Sequence, residues 1–237
     1  MKATLVPFYQ AGSLVNDELT YDGVFLIDVY RATSTMVVLA NRGAKQIKVV
    51  SSLEAAFSIR DKDHEALLCG ERDSIKPEAF DYGNDTGQLS QIDFTGKSCV
   101  ITTSNGTRAL RAYANTSDTF YACSVLNLNA CLSHIKESNY KNILILCAGN
   151  WGMFSLEDYL CASMLINGVK DSLDEVCDEI KLAIELGAVY TNNPNTLKVA
   201  LEKTDHAQKL KSQHKFDDVL FITAHINAYN CVPKLEY

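Results

Sequence analysis

Eight short apolar runs, rich in β-branched and aromatic residues, recur along the chain, and no other feature limits its possible folds as strongly. They are ATLVPFY at 3–9, GVFLIDV at 23–29, QIKVVS at 46–51, ALLCG at 66–70, CVITT at 99–103, TFYACSV at 119–125, NILILCA at 142–148 and VLFITA at 219–224. Runs of this length, largely apolar and bounded by turn residues, fit strands buried on both faces. Helical patterns fill the gaps, at roughly 33–42, 52–61, 106–115, 127–138, 156–167 and 173–187. The stretch from about 188 to 215 reads as further helix, broken at Asn192, Asn193 and Pro194. Strands alternating with helices predict the α/β class with a largely buried, mixed sheet. The 237 residues include only 12 Gly and 4 Pro, with no Gly-, Ser- and Pro-rich linker, so a single compact domain over 1–237 is expected.

The charge balance excludes some partners. With 22 Lys and Arg against 29 Asp and Glu the net charge is −7, and a nucleic acid would need a local basic stripe. The densest basic stretch, Lys209, Lys211 and Lys215, is interspersed with Asp205 and Asp217 and reads as a solvated helix face, so no nucleic-acid partner is expected. None of the 8 cysteines forms a C-x-x-C pair, and most lie inside apolar runs where a thiol behaves as a small hydrophobe. The opening segment MKATLVPFYQ lacks the charged-then-apolar pattern of a secretion leader, and no apolar stretch approaches the roughly 18 residues of a membrane span. A cytoplasmic protein with reduced thiols and no membrane association is expected. A homo-oligomer is compatible with the sequence.

Three of the strands run into polar, small-residue turns that open helices: DVYRATST at 28–35, TTSNGTR at 102–108 and GNWGMFSLED at 149–158. In α/β sheets ligands bind outside the carboxyl ends of strands, where helix N-termini offer free N–H groups. Each turn has two readings. In the first, the hydroxyls of Thr33, Ser34 and Thr35 either cap a helix or meet an anion, and Asp28 either pairs with Arg31 or leaves that guanidinium to grip a phosphate. In the second, Asn105, Gly106 and Thr107 form a glycine turn or a close approach to a ligand, with Arg108 beside it. In the third, Ser155, Glu157 and Asp158 form a capping box or supply carboxylates for a divalent ion held jointly with phosphate oxygens. Of six arginines, Arg31, Arg72 and Arg108 fall at such turns, where a two-pronged grip on an oxyanion is useful.

Several common chemistries lack their signatures. There is no G-x-S-x-G, Walker A, G-x-G-x-x-G or H-E-x-x-H sequence, and no cysteine has an arginine six residues later. Asp28 at a strand end matches the place of the nucleophile in aspartate-nucleophile phosphatases, but Tyr30 stands where their second aspartate would act as acid.

The combination of IDVYRATST at 27–35, NRGAK at 41–45, CGER at 69–72, FDYGN at 80–84, TTSNGTRAL at 102–110, CAGNWGMFSLEDYLCA at 147–162 and VPKL at 232–235 resembles the 2-phosphosulfolactate phosphatase family, in order and over nearly the whole chain. The C-terminal part departs from the family pattern: His206 is followed by Ala207 and Gln208 rather than Gly-Arg, and Thr223-Ala224 leads to Asn227. Asp85-Thr86 also replaces a Ser-Pro after FDYGN. The resemblance implies a compact α/β/α fold and a Mg²⁺-dependent phosphatase that hydrolyses 2-phospho-3-sulfolactate to 3-sulfolactate and phosphate, a step toward coenzyme M. It implies a small anionic phosphate ester as partner, bound by Arg31, Thr33, Ser34, Thr35, Arg72, Asn105, Gly106, Thr107 and Arg108. Asp28 is then a metal ligand, nucleophile or base; Glu71, Glu157 and Asp158 are further candidate ligands with Asp81 behind them, and His206 either protonates the leaving alkoxide or is a surface histidine. Two alternatives stay open: a phosphatase for another phosphorylated 2-hydroxy acid, and a non-catalytic anion-binding protein.

Overall fold

The computed structural model describes residues 1–10, 20–72 and 75–237. Seven of the eight apolar runs form strands: β1 (Lys2–Val6), β2 (Gly23–Ile27), β3 (Gln46–Val49), β4 (Leu67–Gly70), β5 (Ser98–Thr102), β6 (Phe120–Cys123) and β7 (Asn142–Cys147). Helices α1 (Ala32–Asn41), α2 (Leu53–Lys62), the short α3 (Thr86–Leu89), α4 (Gly106–Ala112), α5 (Leu128–Glu137) and α6 (Leu156–Val169) lie between and after them. The C-terminal third continues as α7 (Asp178–Thr191), α8 (Pro194–Glu202), α9 (Asp205–Ser212) and α10 (Phe216–Ala224), then closes with β8 (Lys234–Glu236).

The run at 219–224, expected as a strand, is instead most of α10, and the eighth strand comes from 234–236. The reason is packing: the residues that α10 buries are Asp218, Val219, Ile222 and Thr223, which share one face at helical spacing. A short apolar run satisfies strand and helix patterns equally, and the available partner surface decides. Elsewhere the helices start near their expected places, except that α7 begins at Asp178 rather than 173. The break at 192–193 is present, with Asn193 capping α8 through its side chain onto the Thr196 N–H and Pro194 at the first helical position.

The strands form one sheet in the order β1-β7-β2-β6-β8-β3-β5-β4. All neighbouring pairs are parallel except β6 with β8, so the sheet is mixed, as expected from the sequence. Leu235 in β8 lies opposite Phe120 on one side and Ile47 on the other, so this short strand joins two parallel halves that run in opposite senses. All residues of β2 and β5 are buried, which requires cover on both faces because successive side chains point to opposite sides. Phe25, Leu26 and Ile27 are fully buried, each contributing about 1.5–3 kcal/mol of hydrophobic stabilisation. A smaller apolar cluster, Ala56, Ala66, Leu68, Phe80 and Val100, sits under α2.

The eight cysteines are all unpaired thiols, six of them buried. Among the described residues no helix is long and apolar enough to cross a membrane.

Candidate active site

The turns that leave β2 and β7 in one half of the sheet, and β4 and β5 in the other, meet one face of α9 around a cavity of about 400 Å³. The three polar turns singled out from the sequence therefore open onto one space: Asp28, Arg31 and Ala32 come from the first, Thr103, Ser104 and Asn105 from the second, Asn150 and Trp151 from the third. Glu71 and His206, also named from the sequence as candidate site residues, line it too.

The turn after β2 is held by its own hydroxyls. Thr33 Oγ1 donates to the Asp28 carbonyl at 2.9 Å and accepts from the Asp28 N–H at 3.1 Å. Ser34 Oγ donates to the Val29 carbonyl at 2.8 Å, and Thr35 Oγ1 to the Asn84 carbonyl at 3.2 Å. All three residues are fully buried and none lines the cavity, so the hydroxyls shape the loop instead of facing an anion. The rigid turn in return presents Asp28 to the cavity. Burial pushes the Asp28 carboxyl up to about 6, with the negative charges of Glu71 and Glu157 adding to it and the charge of His206 and the Ala32 N–H opposing it.

The four carboxylates considered as metal ligands fall into three environments. Asp28 and Glu71 line the cavity; Glu71 Oε1 accepts the Ser104 N–H at 2.8 Å and Oε2 the Ser104 hydroxyl at 3.3 Å, joining the turns after β4 and β5. Glu157 Oε1 meets His206 Nδ1 at 2.9 Å, a nearly buried pair against the Tyr30 ring, whose centroid is 6.0 Å from that of the imidazole. Burial would raise the Glu157 carboxyl, but the hydrogen bond and charge of His206 bring it below the ordinary range. Asp158 does not line the cavity. Its two oxygens accept the Val29 N–H at 2.8 Å and the Gly149 N–H at 3.1 Å, tying the end of β2 to the end of β7. Burial, with Asp28 and Glu157 nearby, pushes its carboxyl well up. Ser155 precedes α6 as its N-cap residue, yet its side chain makes no capping bond. Asp81 is also committed elsewhere, to Arg60 and the Leu68 N–H.

The arginines separate as well. Arg31 lines the cavity, but its partner is neither Asp28 nor a residue near it in sequence: Nη1 bonds Asp218 Oδ2 of α10 at 2.7 Å. Asp218 Oδ1 accepts the N–H and hydroxyl of Thr86, at 2.8 and 3.1 Å, so the start of α3 and α10 together orient the guanidinium. Burial raises the Asp218 carboxyl despite the Arg31 charge. Arg108 is exposed, with its guanidinium 4.7 Å from the centre of the Trp151 ring, so it braces a wall of the cavity without lining it. Arg72 donates to the Ser51 carbonyl at 2.7 Å and is not a lining residue. Asn105 lines the cavity and accepts the Trp151 N–H on its side-chain oxygen at 3.0 Å, whereas Gly106 and Thr107 lie behind it at the start of α4.

Backbone geometry permits this convergence at Gly70, where φ is +125° and a Cβ would run into the Thr102 carbonyl. Only glycine takes that conformation at no steric cost, and it lets the β4 turn close onto β5.

Sequence reasoning missed Asn84, Asn150, Trp151, Lys209 and Gln213 as lining residues and Asp218 as the anchor of Arg31. The signal for Asn84 and Trp151 was present in the FDYGN and GNWG segments, while nothing local marks Asp218 or Lys209. Two residues that line the cavity, Tyr30 and Thr103, have hydroxyls that are themselves buried without a hydrogen-bond partner among the described residues.

The 2-phosphosulpholactate phosphatase family model matches residues 10–237. A protein of Caldanaerobacter subterraneus subsp. tengcongensis named probable 2-phosphosulfolactate phosphatase is 32% identical over 231 residues, 96% of this chain and 94% of that protein. Proteins with the same name from Thermotoga petrophila and Thermotoga maritima are 34% and 33% identical over 210 residues, 89% of this chain and 87% of theirs. With the match running through the polar turns, the cavity and the closing strand, the chain belongs to the 2-phosphosulpholactate phosphatase family.

Proposed function

We propose that the cavity hydrolyses the phosphate ester of 2-phospho-3-sulfolactate to 3-sulfolactate and inorganic phosphate, with Mg²⁺ as cofactor, a reaction that belongs on a route toward coenzyme M. One observation carries the reading: a buried carboxylate pair, an anchored arginine and a histidine–glutamate pair, drawn from opposite halves of the sheet, converge on a single cavity.

Among the described residues no group of three or more His, Cys, Asp or Glu is arranged to hold a metal ion. Mg²⁺ does not need one, since it is usually held by one or two carboxylates together with phosphate oxygens and water. Asp28 and Glu71 fit that demand as two hard oxygen donors facing the same space. Bound there, Mg²⁺ supplies positive charge to the phosphoryl oxygens.

Arg31 binds the phosphoryl group, and its anchor on Asp218 keeps the guanidinium from rotating away. Water attacks phosphorus opposite the ester oxygen, the P–O bond to the hydroxy acid breaks, and the electron pair leaves with that oxygen. His206 Nε2 delivers the proton to the departing alkoxide, while Glu157 accepts from Nδ1 and fixes the ring.

Phosphate release from 2-phospho-3-sulfolactate, 2-phospholactate and the phosphoglycerates, each with Mg²⁺ and with a chelator, tests the reading. The sulfonated ester should be hydrolysed best, and only with the metal. A better substrate among the others shifts the reading to a different 2-hydroxy acid, and no release from any ester leaves an anion-binding protein.

A further inference from the structure

We propose that Lys209 reads the sulfonate of the substrate, on the carbon next to the phosphate-bearing one, and so sets selectivity among phosphorylated 2-hydroxy acids. The inference rests on the phosphatase reading above and deepens it.

Helix α9 has two faces. Thr204 caps its start by accepting the Ala207 N–H, and Ala207 and Leu210 are buried. His206, Lys209 and Leu210, with Gln213 just past the end of the helix, line the cavity. The cations lining the cavity differ in their commitments. Arg31 is bonded to Asp218 and His206 to Glu157, whereas the Lys209 ammonium has no ion-pair or hydrogen-bond partner among the described residues. The helix that carries the proton-donating histidine therefore also carries a free cation one turn further on.

The substrate calls for such a cation. Near neutrality a phosphate ester carries about −1.5 to −2 charge, and the carboxylate and sulfonate each add one more. Asp28 and Glu71 make their side of the cavity negative, which repels any acid group that is not screened by the metal. The sulfonate is thus directed toward α9. Its three oxygens accept from an ammonium with three donors, and Gln213 offers a further side-chain amide on the same face. Lys209 is exposed, so water screens the contact and an ester lacking the sulfonate leaves the lysine merely solvated. Selectivity should therefore be moderate, about fivefold, the equivalent of about 1 kcal/mol.

The test compares kcat/KM for 2-phospho-3-sulfolactate with that for 2-phospholactate, which has the same ester and carboxylate but no sulfonate, in wild type, Lys209→Ala and Lys209→Arg. The ratio between the two esters should fall about fivefold in the alanine variant, through KM with kcat little changed, and should be largely restored by arginine. Equal losses on both esters, or no loss, overturn the proposal. Calorimetric titration with 3-sulfolactate and with lactate reads the same contact without turnover. Lys209→Ala should weaken the first about fivefold relative to the second, and unchanged relative affinity overturns the role of Lys209. A wild-type protein that binds 3-sulfolactate through Lys209 yet releases phosphate from neither ester overturns the phosphatase reading alone.

Discussion

Replacing Asp28 by asparagine should abolish turnover and, in metal-free protein, make the fold more stable. The carboxyl is held at about 6 against an ordinary value of 3.8, chiefly because it is buried. In the folded state it therefore binds its proton more tightly than in the unfolded chain. Its favourable contribution is complete below about pH 3.8 and is lost as pH rises through about 6. At 1.36 kcal/mol per pH unit the whole effect is about 3 kcal/mol. Asparagine cannot ionise, so the variant escapes this loss. Urea denaturation in the presence of a chelator, at pH 4 and at pH 8, measures it: the two proteins should be similar at pH 4, and Asp28→Asn should be the more stable by about 3 kcal/mol at pH 8. In parallel, phosphate release should drop by about 10²-fold or more, as expected when a group acting directly at the reaction centre is removed. A stability gap that does not change with pH, or a wild type that is the more stable at pH 8, refutes the burial argument. Near-wild-type turnover refutes the placement of Asp28 in the reaction.

Three further outcomes follow from particular contacts. Asp218→Ala leaves Arg31 buried without its counter-ion and the Thr86 N–H without its acceptor, so chemical denaturation should register a loss of about 3–5 kcal/mol; a loss below 1 kcal/mol, roughly the worth of an exposed pair, would contradict the buried-pair description. His206→Gln should slow hydrolysis of the alkyl ester about 10²-fold but affect 4-nitrophenyl phosphate far less, because a stable phenolate needs no proton on departure. Equal effects on both esters would remove the histidine from the proton-transfer role. Gly70→Ala forces a side chain into a left-handed backbone against the Thr102 carbonyl and should cost at least about 1–3 kcal/mol in denaturant, with activity lost in step as the β4 turn opens.

Local pattern made much of this protein legible. The central strands are short, apolar and bounded by turns, so β2, β5 and β7 can be located from residues a few positions apart. The three polar turns follow from the same logic, and Asp28, Arg31, Glu71, Asn105 and His206, all named from the sequence, do line one cavity. Hydroxyl-rich stretches were harder to read, because a serine or threonine at a turn serves the backbone and a ligand equally well. At Thr33, Ser34 and Thr35 the backbone takes all three hydroxyls.

What only the tertiary structure decided are matters of partnership over long separations. The run at 219–224 had no helical signal strong enough to outweigh its apolar character until α10 acquired a face to bury. Arg31 finds its carboxylate 187 residues away, and Asp158 is drawn from the metal candidates by two backbone N–H groups, one of them 129 residues distant. Lys209, indistinguishable in sequence from a solvated lysine, lines the cavity because burial of Ala207 and Leu210 fixes how α9 is turned. Secondary structure is set by the spacing of apolar residues along a few turns of chain, whereas a side chain's charge partner depends on which distant elements pack against it, and that is determined only when the core closes.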